Sequence, residues 1–199
     1  DDRAASNAGA AYVYLRNAGN TGWDLIARLE AADAEANAHF GAGVMVAATN
    51  GTQVRVLVGA PDRAAGGKVY AFTYTSATLA VTTMTFTAPV PAAGDEYGTS
   101  LSVNSIAGGN TFVVGAPGTS NDRGSVFAYS NNALDATLTA SDGADGDRFG
   151  ATLTPTYTYT GALLVGAPSD DIGAVTNAGS VYSFVGVAGS PVVWSQEAK

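Results

Sequence analysis

Residues 111–129 read Thr111-Phe112-Val113-Val114-Gly115-Ala116-Pro117-Gly118-Thr119-Ser120-Asn121-Asp122-Arg123-Gly124-Ser125-Val126-Phe127-Ala128-Tyr129. An unbroken apolar run ends in Gly-Ala-Pro, a short polar loop follows, and an alternating run closes the stretch. Consecutive apolar residues bounded by turn signals fit a strand buried on both faces. Proline has no N–H to give to a ladder, so Pro117 ends that strand. In the second run Val126 and Ala128 alternate with Phe127 and Tyr129, the period of two that sends neighbouring side chains to opposite faces.

The same order recurs on either side. Gly-Ala-Pro stands at 59–61, 115–117 and 166–168, each time after an apolar run. Next come Gly67-Lys68-Val69-Tyr70-Ala71-Phe72, Gly124-Ser125-Val126-Phe127-Ala128-Tyr129 and Gly179-Ser180-Val181-Tyr182-Ser183-Phe184. An aromatic-Gly pair precedes each triplet, at Phe40-Gly41, Tyr97-Gly98 and Phe149-Gly150, spaced by 57 and then 52 residues. Gly9-Ala10-Ala11-Tyr12-Val13-Tyr14 repeats the alternating element alone, and Trp23–Leu29 and Trp194–Lys199 share an outer-strand beginning. A fixed period of this size marks a repeat architecture. Four strands per unit, the inner ones buried on both faces, predict all-β propeller blades packed sheet on sheet. The expected division is 1–39 as the outer half of a preceding blade with its linker, then blades at 40–96, 97–148 and 149–199, the last with an incomplete outer strand. Asp24–Asn37 has helix-friendly composition, but the repeat predicts a strand for its first half.

Composition narrows the function. Nine Lys plus Arg against 17 Asp plus Glu, net charge −8, leave no basic patch, so nucleic acid is not an expected partner. Apolar runs such as Ala162–Val165 fall far short of the ~20 residues of a membrane helix, so no span is expected. Zero Cys removes disulfides, thiolate nucleophiles and Cys-ligated zinc, and a single His39 removes most Ser-His-Asp and multi-His metal schemes. His39 also shares its repeat position with Glu96 and Arg148, which points to an exposed site and away from catalysis.

With aromatic-Gly, Gly-Ala-Pro and Gly-x-Val-aromatic recurring in order three times, the chain resembles the FG-GAP repeat family. That module builds the integrin alpha-subunit propeller and many secreted bacterial and algal surface proteins. Leu138–Gly150 is similar to the inter-blade linker of the bacterial-type branch. The resemblance implies a propeller of about seven blades, used for adhesion, ligand recognition or as a scaffold. Many members carry an Asp-rich calcium loop before Gly-Ala-Pro. Here those loops, 48–53, 104–110 and 155–161, contain no carboxylate, so calcium is not expected at the family's usual place. The ~3.6 visible units form an arc expected to be continued by more chain or by a neighbour.

Candidate sites follow from the repeat. The loops after Gly-Ala-Pro differ most between units and carry Asp62 and Arg63, Asn121, Asp122 and Arg123, and Asp170 and Asp171. They read either as a rim for a protein or glycan ligand or as solvated turn charges. Asp142, Asp145 and Asp147 could hold a cation or cap turns, and Asp95 and Asp147, two before the aromatic, suit Asx caps. Asn50-Gly51-Thr52 is a glycosylation sequon, and the Thr-rich outer strand at 73–87 could carry O-linked sugar or simply favour β structure. The expectation is a non-catalytic adhesion or recognition scaffold outside the cell or on its surface, without a cofactor. The alternatives are a building block of an extracellular filament or matrix that binds copies of itself, and a propeller appended to an enzyme domain outside these residues.

Overall fold

The computed structural model describes residues 5–50, 53–75, 78–104, 111–155, 162–187 and 192–199. The sequon residues Gly51 and Thr52, and most of the three loops read for calcium, lie outside them. β1 (Ala11–Arg16) and β2 (Trp23–Leu29) form a two-stranded sheet, which confirms the strand expected in the helix-friendly stretch. Three four-stranded antiparallel sheets follow. The second sheet contains β3 (Val44–Asn50), β4 (Gln53–Ala60), β5 (Lys68–Thr75) and β6 (Thr78–Phe86). The third contains β7 (Ser100–Asn104), β8 (Thr111–Ala116), β9 (Ser125–Ser130) and β10 (Ala133–Leu138). The fourth contains β11 (Thr152–Pro155), β12 (Ala162–Ala167), β13 (Ser180–Val187) and β14 (Val193–Ala198). Within each sheet every strand pairs with the next in sequence, the all-β pattern of propeller blades.

Register is identical in the three full sheets. The glycine of each Gly-Ala-Pro lies opposite the valine of the alternating strand: Gly59 with Val69, Gly115 with Val126, Gly166 with Val181. A one-residue slip would turn every apolar side chain to the wrong face, so alternation and register specify each other.

The alternating strand serves two cores at once. From β5, Tyr70, Phe72 and Tyr74 pack with Phe40, Val56 and Val58 against Ala11 and Leu29 of the first sheet. Val69 and Ala71, on the other face, pack with Leu57 against Tyr97, Phe112, Val114 and Phe127 of the third sheet. A third core joins Val113, Val126 and Ala128 to Phe149, Leu163, Val165 and Tyr182. Rings interlock within these layers: Phe40 meets Tyr70 edge-on with centroids 5.3 Å apart, and Phe112 stacks on Tyr129 at 4.9 Å. All six residues of β8 are buried, as the apolar run predicts, whereas β12 alternates between buried and half-buried. Its outer face has no sheet packed on it among the described residues.

What joins one sheet to the next is backbone meeting backbone. Gly9, Gly67 and Gly124, each heading an alternating element, form parallel bridges to Phe40, Tyr97 and Phe149 of the following unit. The aromatic amide donates to the carbonyl just before the glycine: Phe40 to Ala8 at 2.8 Å, Tyr97 to Gly66 at 3.0 Å, Phe149 to Arg123 at 3.1 Å. A Cβ on Gly9, Gly67 or Gly124 would lie 2.1, 2.3 or 2.0 Å from the aromatic carbonyl oxygen, and each glycine has φ near +90°. Only glycine meets both conditions.

This seam predicts a contrast between two substitutions at positive φ. Gly124→Ala combines that backbone with a collision against main chain and is expected to cost more than about 3 kcal/mol. Gly146→Ala, at φ +96° with open space around it, carries the backbone cost alone, about 1–2 kcal/mol. Urea unfolding of the two variants beside the parent checks the ranking.

Candidate functional site

β4, β8 and β12 each end on the alanine of Gly-Ala-Pro, so the following loops leave all three sheets at one edge. The linkers before the aromatic-Gly pairs reach that same edge, because β3, β7 and β11 run antiparallel to β4, β8 and β12. Loops and linkers therefore meet along a rim.

The loop 119–123 shows how this rim is held. Ser120, Asn121 and Asp122 have φ of 55°, 60° and 60°. That left-handed conformation costs an L-residue about 1–2 kcal/mol, least for Asn and Asp. The next linker offsets the cost. Gly146 and Arg148 amides donate to the carbonyls of Asn121 and Asp122 at 3.1 and 2.7 Å. Asn121 Nδ2 and Arg123 reach Asp145 at 3.3 and 2.8 Å, and Arg148 donates to Asp122 at 3.0 Å and to Glu96 at 2.5 Å. Glu96–Arg148–Asp122 is thus a charged ladder running across the seam.

The sequence-predicted loop residues divide into two groups. Asp62, Asn121, Asp122, Arg123 and Asp171 are exposed on the rim. Asp62 Oδ2 lies 2.5 Å from His39 Nδ1, and Asp171 accepts the Asn177 amide at 2.6 Å, closing its loop. Arg63 and Asp170 turn inward instead. Arg63 donates to the Asp33 carbonyl and the Tyr70 hydroxyl at 2.8 and 3.1 Å, and pairs with Asp33 and Glu35, its side chain 13% exposed. Asp170 is buried and takes bonds from the Ser180 and Tyr182 hydroxyls and from Lys199 at 2.8 Å.

Asp142, Asp145 and Asp147 have separate partners. Asp142 takes Lys199 at 2.5 Å and the Tyr182 hydroxyl at 3.0 Å, while Asp145 takes Arg123. Asp147 is buried and accepts the Ala144 amide at 2.6 Å, as Asp95 accepts that of Ala92 at 2.7 Å, so both cap turns. Among the described residues no three metal-ligating side chains gather.

Sequence reasoning did not anticipate a linker carboxylate bound to a tyrosine and a lysine. Asp33 holds Tyr70 at 2.6 Å and Lys68 at 2.8 Å; Asp142 holds Tyr182 and Lys199 in the same way. Each lysine also lies over its tyrosine ring, at 5.6 and 5.4 Å from the centroid. The signal was available: both aspartates stand seven residues before their aromatic-Gly pair, and the intervening unit has apolar Val90 and Phe127 at the two positions.

Residues 133–184 match the family model of the FG-GAP repeat, a span running from β10 through the linker and Phe149-Gly150 into β13. No curated protein matches the chain.

Several rim carboxylates titrate below their ordinary range. For Asp33 and Asp170 burial pushes upward, but bonds from Lys68 and Tyr70, and from Lys199 and Ser180, outweigh it. Lys199 lowers Asp142, and Arg123 with Asn121 lowers Asp145. Burial and the Asp142 bond push the Tyr182 hydroxyl up to about 12. Carboxylates depressed on folding stabilise the protein above their unfolded pKa, about 3.9, and lose that contribution as pH falls through the folded value. The melting temperature is expected to hold at neutral pH and to drop below about pH 4. Lys199→Met should melt lower than the parent at pH 6, with the gap closing at about pH 2. Calorimetry across that range measures both.

Proposed function

We propose that this FG-GAP repeat protein is a non-catalytic recognition scaffold outside the cell or on its surface, binding a protein or glycan along the rim of post-Gly-Ala-Pro loops. The FG-GAP match supports an adhesion-type propeller domain. No helix among the described residues is long and apolar enough to cross a membrane. One observation carries the reading: loop 119–123 keeps three consecutive residues in a costly left-handed turn, clamped by the next linker, with Asn121, Asp122 and Arg123 exposed. Backbone strain of that kind persists where the surroundings over-determine it, and it collects at binding sites. Asp62 and Asp171 stand at the corresponding edges of the neighbouring sheets. Together they offer acceptors for sugar hydroxyls or for basic side chains, beside one guanidinium donor.

The chemistry suits binding better than turnover. His39 faces Asp62 on open surface, its side chain 55% exposed. The rim charges mostly neutralise one another in pairs, an arrangement that orients a ligand but provides no poised acid and base.

Labelled protein applied to an array of glycans and purified extracellular-matrix proteins tests the reading. A specific hit is expected, with Asn121→Gly/Arg123→Gln, which keeps a residue suited to the left-handed backbone, binding at least about tenfold more weakly while its melting temperature stays within a few degrees of the parent. Hits indifferent to that double substitution, or no hit on either class, would overturn the rim as the binding surface.

A further inference from the structure

The loop after the last Gly-Ala-Pro is longer than its counterparts. Five residues separate Pro61 from Gly67 and six separate Pro117 from Gly124, but ten separate Pro168 from Gly179. Hydrogen bonds locate the extra residues. The Gly118 and Ser169 amides donate alike to the carbonyls of Asp95 and Asp147. The Gly124 and Gly179 amides donate alike to the carbonyls of Thr119 and Asp170, at 3.0 and 2.9 Å. Thr119 and Asp170 also bond the corresponding hydroxyls, Ser125 and Ser180. Asp170 therefore stands where Thr119 stands, Asp171 where Ser120 stands and, counting back from the glycine, residues 176–178 where 121–123 stand. Ile172-Gly173-Ala174-Val175 is a four-residue insertion relative to loop 118–123.

The insertion folds on itself. Ile172 and Val175 exchange both backbone hydrogen bonds, at 3.0 and 3.1 Å, as an antiparallel bridge. Gly173 takes φ 62° at the first turn position, where a two-residue II′ hairpin places glycine. Beneath it the Asp171 carboxylate accepts the Asn177 amide at 2.6 Å, and buried Asp170 anchors the base. Residues directly opposite in an antiparallel pair share a face, and Ile172 and Val175 are 53% and 62% exposed. Neither shorter loop contains Val, Ile or Leu. The seam does not use the insertion: the linker of a following unit takes the carbonyls of Asn121, Asp122 and Arg123, positions matched by 176–178.

We propose that Ile172 and Val175 form a preorganised apolar finger that enters an apolar pocket of a partner protein, with a basic group of that partner at Asp171. This rests on the rim as the binding surface and narrows its occupant to a protein. The inserted Ile, Gly, Ala and Val side chains have no donor or acceptor to give a sugar, and no ring to stack on it. A hairpin already closed on itself loses little freedom on binding, which favours a rigid anchor seated in a pocket. Asp171 is exposed and forms no ion pair among the described residues, and loop 169–178 contains no Lys, Arg or His. Charge complementarity therefore calls for a basic edge around the pocket.

The array of glycans and purified extracellular-matrix proteins, with phosphatidylcholine vesicles added, is probed with two further variants. One is Ile172→Ser/Val175→Ser; the other deletes residues 172–175 and so restores the length of loop 118–123. The altered residues are exposed, so both should melt within a few degrees of the parent. A protein hit is expected, weakened at least about tenfold by either change. Asp171→Asn keeps an acceptor for the Asn177 amide and should slow association about threefold at low salt but not at high salt. Indifference to Asp171→Asn would overturn the basic edge. A protein hit that the hairpin variants leave unchanged would overturn the finger; if Asn121→Gly/Arg123→Gln still weakened that hit, the rim would stand without it. A hit lost with the hairpin but indifferent to that double substitution would uphold the finger and remove loop 119–123 from the site. No protein hit, or hairpin-dependent binding to glycans or vesicles instead, would also overturn the finger.

Discussion

The structure depends on the close approach of a glycine that heads one alternating strand to the peptide of the next unit's aromatic residue. At Gly9, Gly67 and Gly124 the two backbones come nearer than any side chain permits, and one amide hydrogen bond fixes their spacing. The rest of the layer follows from this contact. It carries the rings of Phe40, Tyr97 and Phe149 into the cores, where each is at most 3% exposed. Burying such a ring stabilises by about 1.5–3 kcal/mol, so the seam is both a positional lock and a hydrophobic one.

The rim is a by-product of the same lock. Seating the aromatic turn draws the linker before it against the preceding post-Gly-Ala-Pro loop. That is why Arg148 meets Asp122, and Asp145 meets Arg123, some two dozen residues away. Exposed ion pairs of this sort contribute about 0–1 kcal/mol each, so their effect is more to hold the loop's shape than to hold the fold. The cluster of Asp33, Tyr70 and Lys68 differs in composition, although Asp33 itself is exposed. Its carboxylate accepts from hydroxyl and ammonium together, and the unit that lacks one partner, with Val90 and Phe127, lacks the other as well.

Much of the fold was legible from residues alone. The strand order, both buried faces of β8, the turn-capping by Asp95 and Asp147 and the strand at Trp23–Leu29 were all readable, because they rest on proline, glycine and alternation acting over a few neighbours. The candidate rim was legible in position but not in orientation. Arg63 and Asp170 look, as letters, like Arg123 and Asp171. They turn inward because Asp33, Tyr70, Ser180 and Lys199 wait there, partners brought from other strands and linkers. The half-exposed β12 was likewise unreadable, since its sequence is as apolar as that of β4.

By itself the sequence determined the repeating unit, its four strands and the residues that end them. Each of these is imposed by steric and hydrogen-bonding limits on adjacent residues. The tertiary structure alone decided which charges face solvent, which carboxylates are lowered by a neighbouring cation, and which apolar face lies open. Those outcomes depend on groups as far as 57 residues apart in sequence, brought into contact only by the tertiary fold.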